Sequence, residues 1–173
     1  QLISRENGKT LQEAISMELM SVADLATYFA KRAERILAPR SIPLHLLKHK
    51  ASYVHYRPRG VVLVISPWNF PFSIPFGEIC MALMAGNAVV LKPASLTPLI
   101  AVRAAKLFHE AGLDPALLEV VTAPGRVAST MVESGKVDYV NFTGSVPTGK
   151  RVSEVCGRML IPCSMELGGK DAL

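Results

Sequence analysis

The sequence is short of several things at once, and each shortage closes a class of function. It has three cysteines, Cys80, Cys156 and Cys163, in no paired pattern. That argues against a disulfide framework and fits a reducing compartment, so a cytoplasmic protein is expected. No apolar run reaches the roughly 18 residues of a membrane helix, because Arg, Asn, Glu and Pro interrupt every candidate. The N-terminus shows no basic-then-apolar leader. No metal site is expected. Gly-x-Gly-x-x-Gly occurs nowhere, so the ordinary dinucleotide fingerprint is missing and any nicotinamide cofactor must use another loop geometry.

Aromatic residues make up only 6% of the chain. This bears on a basic stretch, in which Lys31, Arg32, Arg35, Arg40, Lys48, Lys50, Arg57 and Arg59 are opposed only by Glu34. The net charge of +5 is therefore local, and the rest of the chain is close to neutral. A nucleic-acid surface would be the sharp reading of that stretch. With few aromatics to stack on bases, a solvated helix end and an exposed hairpin is the better one. No nucleic-acid or membrane partner is expected.

What is present is core. Half of the 173 residues are hydrophobic and the mean hydropathy is +0.30, enough for one α/β domain. Leu11, Ile15, Leu19, Val22, Leu25 and Phe29 recur at helical spacing and predict one amphipathic helix over residues 10–37, stopped by Pro39 and Pro43. Residues 44–59 alternate loosely and predict an extended pair. After Gly60 strands and helices alternate. Strands are predicted at 61–66, 88–91, 118–122, 137–142 and 163–167. Helices are predicted at 73–85, 97–111, 126–133 and 147–156, with Thr97 as the cap of the second. Strands apolar throughout, separated by helices, predict a five-stranded parallel sheet covered on both faces, with ligands at the carboxyl ends of its strands.

Four of those strand ends carry unusual residues. The first runs into Ser66-Pro67-Trp68-Asn69-Phe70-Pro71, where two prolines frame the amide of Asn69, a donor suited to an oxyanion. A loop Asn bonding its own backbone is the plain alternative. The second runs into Lys92-Pro93-Ala94-Ser95, whose lysine could reach a phosphate or ribose or simply be a surface charge. The fourth runs into Phe142-Thr143-Gly144-Ser145 and opens a helix, a place for an anion such as pyrophosphate. Gly144 to Gly149-Lys150 imitates a Walker A loop, but Arg151 stands where a Ser or Thr should hold magnesium. The fifth ends in Glu166-Leu167-Gly168-Gly169, a carboxylate able to act as a base beside glycines that admit a flat ligand.

Taken in order, these four motifs closely resemble the aldehyde dehydrogenase superfamily, and Glu6-Asn7-Gly8-Lys9 also looks like that family. The resemblance covers essentially the whole chain. It implies a Rossmann-like cofactor domain without the usual glycine fingerprint, over residues 61–173, preceded by an N-terminal helix and an extended, oligomerisation-type segment over 1–60. It implies that Asn69 donates to the oxyanion of a thiohemiacetal and that Glu166 activates water against a thioester. Ser66, Pro67, Trp68, Lys92 and Ser95 would line the cofactor cleft, Ser145 would contact pyrophosphate and Gly168 would lie against nicotinamide. The substrate would be a small aldehyde, and the full-length protein a homo-oligomer. Glu166 favours acid-producing over CoA-acylating members.

Ser95 stands where many NAD-preferring members carry Glu, so NADP is expected to be accepted alongside NAD. None of the three cysteines has the flanking pattern of the family nucleophile, which follows the Glu-Leu-Gly-Gly motif by a few dozen residues. The expectation is that all three are structural, that the nucleophile lies beyond Leu173, and that this stretch alone is inactive. A non-catalytic nucleotide-binding module is the alternative.

Overall fold

The chain begins with short-range capping. In the computed structural model, which describes residues 1–169, helix α1 (Leu2–Asn7) ends at Gly8, whose φ of 84° is the left-handed turn glycine adopts freely. Thr10 then restarts the helix through a reciprocal capping box with Glu13. The helix runs as α2 (Leu11–Glu13), a π-wound stretch (Ala14–Met20) and α3 (Ser21–Leu37).

The predicted extent of 10–37 is right, and so is the second half of the predicted stripe, where Val22 is buried and Leu25 and Phe29 are half-buried; the first half is not. Leu11, Ile15 and Leu19 are exposed, and Ala14 and Glu18 face inward in their place. The π winding has more residues per turn than an α-helix, which keeps positions four apart in line and rotates the buried face. A hydrophobic pattern read at 3.6 residues per turn cannot see that shift. The hairpin also starts earlier than predicted: β1 (Arg40–Ile42) pairs antiparallel with β2 (Ser52–Val54), so its first strand precedes residue 44.

Five parallel strands follow: β3 (Val61–Ile65), β4 (Ala88–Lys92), β5 (Leu118–Val120), β6 (Tyr139–Gly144) and β7 (Cys163–Leu167). Their order across the sheet is β5-β4-β3-β6-β7. Successive strand residues alternate faces. Val62 and Val64 join the core under α4 (Ser73–Met84) and α5 (Pro98–Glu110), while Leu63 and Ile65 join the core under α6 (Val127–Glu133) and α7 (Val146–Met159). This is the predicted doubly covered α/β sheet.

The start of β3 is held from both sides. Asn87 is buried, its amide oxygen accepts from the Arg59 and Gly60 N–H groups at 2.6 and 3.1 Å, and its amide nitrogen donates to the Ala82 carbonyl. Asp138 accepts from the Val61 N–H at 2.7 Å. Gly60 sits between them with φ 123°, where any Cβ would collide with the Asp138 carboxylate.

One predicted cap is replaced. Thr97 does precede α5, but its hydroxyl is buried without a partner. The carboxylate of Glu6, 93 residues upstream of Leu99, accepts instead from the Leu99 and Ile100 N–H groups, both at 2.8 Å. A carboxylate on a helix N-terminus satisfies free donors and opposes the dipole, so a distant Glu outcompetes the local Thr. Glu6→Ala should therefore cost about 1–2 kcal/mol of stability, read as a lower midpoint with an unchanged slope in urea unfolding.

Candidate active site

Strand β3 lies between β4 and β6, so the chain leaves it toward opposite halves of the sheet. Ligand clefts form where strand order reverses in this way, beyond the carboxyl ends. A cleft of about 790 Å³ opens there. Ser66, Pro67, Trp68 and Asn69 reach it from β3, Thr143, Gly144 and Ser145 from β6, and Glu166, Leu167 and Gly168 from β7. Seven of the nine residues singled out in the sequence for catalysis or cofactor binding thus meet in one space. Lys170, which closes the last motif, lies outside the described residues.

The loop carrying Asn69 is fastened by the N-terminal segment. Asn7 donates its amide to the Trp68 carbonyl at 2.7 Å, and the Lys9 ammonium donates to the Asn69 carbonyl at 2.6 Å. The same ammonium lies 4.0 Å from the centre of the Phe70 ring and is ion-paired to Glu18. Glu18 is fully buried, and its other carboxylate oxygen accepts from the Phe72 and Ser73 N–H groups at 3.2 and 2.7 Å, the free donors at the start of α4. A buried carboxylate is tolerated only when paired and hydrogen-bonded, and this one has both.

The side chain of Asn69 makes the loop bond of the plain sequence reading. Its Oδ1 accepts from the Phe70 N–H at 3.1 Å, a self-contained loop bond. That bond also sets the amide's orientation, since only oxygen can accept there, and the Nδ2 donors are left for a ligand.

Ser145 precedes α7 in extended conformation and donates its hydroxyl to Thr148 at 3.0 Å, leaving the backbone N–H groups of the first turn unengaged by it. Glu166 is exposed at the end of β7, directly opposite Thr143 in the β6–β7 register. Gly168 is open, with nothing within 4 Å of a Cβ position.

Two predicted residues sit elsewhere. Ser95 lines a separate cleft of about 210 Å³ with Pro98, Thr122 and Ala123, at the ends of β4 and β5. Lys92 lines neither cleft. It is buried, its ammonium donates to the Pro93 carbonyl at 3.1 Å, and burial pushes its pKa down.

Sequence reading overlooked one group in the main cleft. Glu78 is the sole charged residue of the apolar helix α4, and that isolation was the available signal. It is buried, lines the cleft, and accepts from the Thr143 hydroxyl at 2.9 Å. Burial, with a smaller push from Glu166, raises its pKa to about 7 despite the Thr143 bond.

No cysteine lines the main cleft among the described residues. Cys80 and Cys156 are buried and their thiols are pushed up to about 11, mainly by burial. In the basic stretch, Arg32 and Arg59 stack on the rings of Tyr28 and Tyr139. No described helix is long and apolar enough to cross a membrane.

Fold and cleft together define a doubly wound α/β domain of the kind that binds nucleotides at its topological switch point. The family model for the aldehyde dehydrogenase family matches residues 1–173. A Mycobacterium ulcerans protein named "putative succinate-semialdehyde dehydrogenase (NADP(+)) 2" is 43% identical over 172 residues, 99% of this chain and 33% of that protein. The substrate-bound structure of Staphylococcus aureus AldH superposes with a TM-score of 0.90 at 30% identity, over 98% of this chain and 37% of that one. Proline utilization A of Bradyrhizobium japonicum gives 0.88 at 37% identity, over 97% and 17%. The chain belongs to the aldehyde dehydrogenase family. It spans about a third of the length of the curated relatives it matches.

Removing the Glu18 carboxylate leaves Lys9 and two helix N–H groups without their partner. Glu18→Ala should cost about 3–5 kcal/mol, the range for breaking a buried pair. Chemical denaturation measures it, and faster proteolysis near residues 68–73 is expected alongside.

Proposed function

We propose that this chain forms the cofactor-binding part of an NAD(P)-dependent dehydrogenase that oxidises an aldehyde to a carboxylic acid through a thiohemiacetal and a thioester. The observation that carries the reading is that Asn69 and Glu166, nearly 100 residues apart, face one cleft at the switch point. An amide donor held by its own loop can stabilise a developing oxyanion without reorganising. A carboxylate at a strand end, exposed to water, can take the proton of a water molecule as its oxygen attacks an acyl carbon.

The cleft fits a dinucleotide on two further counts. The α7 N-terminus behind Ser145 offers N–H donors to a pyrophosphate. Gly168 leaves room for a planar ring to approach the backbone. Hydride acceptance belongs to the nicotinamide cofactor when bound. Ser66, Pro67 and Trp68 form the wall along which it would lie.

The thiol is the missing group. Among the described residues no cysteine lines the cleft and burial holds two of the three thiols protonated, so this stretch should not turn over by itself. A polypeptide of the family's full length carrying this segment should produce NAD(P)H from an aldehyde. Succinate semialdehyde is the first to try, because a relative is named for it. Asn69→Ala should lower kcat by about 10²–10³-fold, with absorbance at 340 nm as the readout. An unchanged kcat would remove Asn69 from the mechanism.

Cofactor choice follows from the small separate cleft beside Ser95. Its lining residues include no carboxylate to repel a 2′-phosphate. NADP should therefore serve at least as well as NAD. Ser95→Glu should reduce kcat/KM for NADP by about tenfold or more, the equivalent of roughly 1.4 kcal/mol, and leave NAD nearly unchanged. A strong NAD preference in the unsubstituted enzyme would rule the argument out.

A further inference from the structure

Glu78 has no task in that scheme, yet its placement is unusual. It lines the main cleft and also a second cleft of about 450 Å³, bounded by Arg57, Arg59, Asn141 and Ser164. It therefore stands between the two. One carboxylate oxygen accepts from Thr143, and the other is buried without a partner.

The sheet puts Thr143 between two carboxylates. Val140 and Phe142 of β6 point to the α6–α7 core, so Asn141 and Thr143 occupy the other face, where α4 lies. On β7, Cys163 and Met165 pack against that same α6–α7 core, so Ser164 and Glu166 share the face of Thr143. Thr143 and Glu166 are direct register partners, about 5 Å apart along the ladder, within reach of a glutamate side chain. Glu166, Thr143 and Glu78 thus form a row on one face of the sheet.

We propose that Thr143 and Glu78 carry off the proton that Glu166 takes from water, delivering it toward the second cleft. This rests on the assignment of Glu166 as the base. In the first step a water O–H bond breaks, the water oxygen bonds to the acyl carbon and the proton goes to Glu166. In the second, the Glu166 proton passes to the Thr143 oxygen as the hydroxyl proton of Thr143 passes to Glu78. Glu166 returns to a carboxylate, Glu78 becomes the neutral acid, and its proton leaves to solvent. Atoms and charge balance with no further reactant.

A buried carboxyl is suited to this only if it gains and loses a proton near working pH. Burial raises Glu78 to about 7, so it holds a proton more strongly than an ordinary carboxylate does and still releases it near neutral pH. The ionisable groups around it are consistent with that. Glu166 on β7 adds negative charge, and Tyr56, Arg57, Arg59 and Tyr139 border the second cleft. Arg59 is stacked on the Tyr139 ring. Of the groups on neighbouring helices, Glu18 is occupied by Lys9 and the α4 N–H groups, and Cys80 on α4 itself stays a neutral thiol.

The sign is definite. Glu78 accepts a proton only when ionised, so turnover should rise with pH through about 7. In the full-length enzyme, Glu78→Gln should leave the first-turnover burst of NAD(P)H intact, slow the following steady state by about tenfold or more, and flatten that rise. Added imidazole should restore part of the rate. A merely structural Glu78 would change none of these pH or rescue readouts, and an unaltered steady-state profile would overturn the relay. Should Glu78→Gln misfold, Thr143→Val decides. It keeps both carboxylates and removes the hydroxyl between them, so the same steady-state loss is expected and normal turnover refutes the route.

An unsubstituted full-length enzyme that forms no NAD(P)H from an aldehyde would instead defeat the proposed function. Infrared titration of the Glu78 carboxyl then tests the coupling alone. Its midpoint should fall in Glu166→Gln, and an unmoved midpoint would overturn the inference.

Discussion

A single buried carboxylate, that of Glu18, holds the site loop to the rest of the protein. Taking an anion out of water is costly, and Glu18 is stable there only because Lys9 and the first N–H groups of α4 surround it. That requirement draws three distant segments to one point: the turn after α1, the π-wound stretch and the loop that leaves β3. Because Lys9 also holds the Asn69 carbonyl and Asn7 the Trp68 carbonyl, satisfying the charge and positioning the oxyanion donor are one event. The π winding belongs to the same constraint, since it turns Glu18 inward in place of its apolar neighbours.

The N-terminal segment repeats the device. Glu18 satisfies the start of α4, which follows β3, and Glu6 satisfies the start of α5, which follows β4. Both helices begin just after loops bearing predicted site residues. Two carboxylates supplied from outside the sheet therefore set where those loops end. The strands do the rest through their alternation. On β6 and β7 one face is apolar and packs on α6 and α7, while the other presents Asn141, Thr143, Ser164 and Glu166. Chemistry and core occupy opposite sides of the same two strands.

Period-two alternation, turn residues and motif order made most of this legible beforehand. The five strands, their helices and seven of the nine singled-out residues in one cleft follow from local signals: Val61–Ile65 as an apolar run, Gly86-Asn87 as a stop, glycines after Glu166. Where prediction erred, a distant group had overridden a local preference. Thr97 looked like a helix cap and lost that place to Glu6. Leu11, Ile15 and Leu19 looked like a core stripe and lost it to a change in helical winding. Glu78 went unnoticed because an acid in an apolar helix has no meaning until the sheet brings Thr143 beside it.

What the sequence determined by itself is therefore whatever depends on neighbours in the chain: element type, strand spacing, the prolines that frame Asn69 and the glycines beside Glu166. Tertiary structure alone decided which charges are buried, what satisfies them and which carboxylates share a cleft. The reason is physical. Backbone preference acts over a few residues, whereas the energy of a charge is set by whatever surrounds it in space, and here Glu18 accepts from Phe72 and Ser73, and Glu78 from Thr143, all more than 50 residues away in the chain.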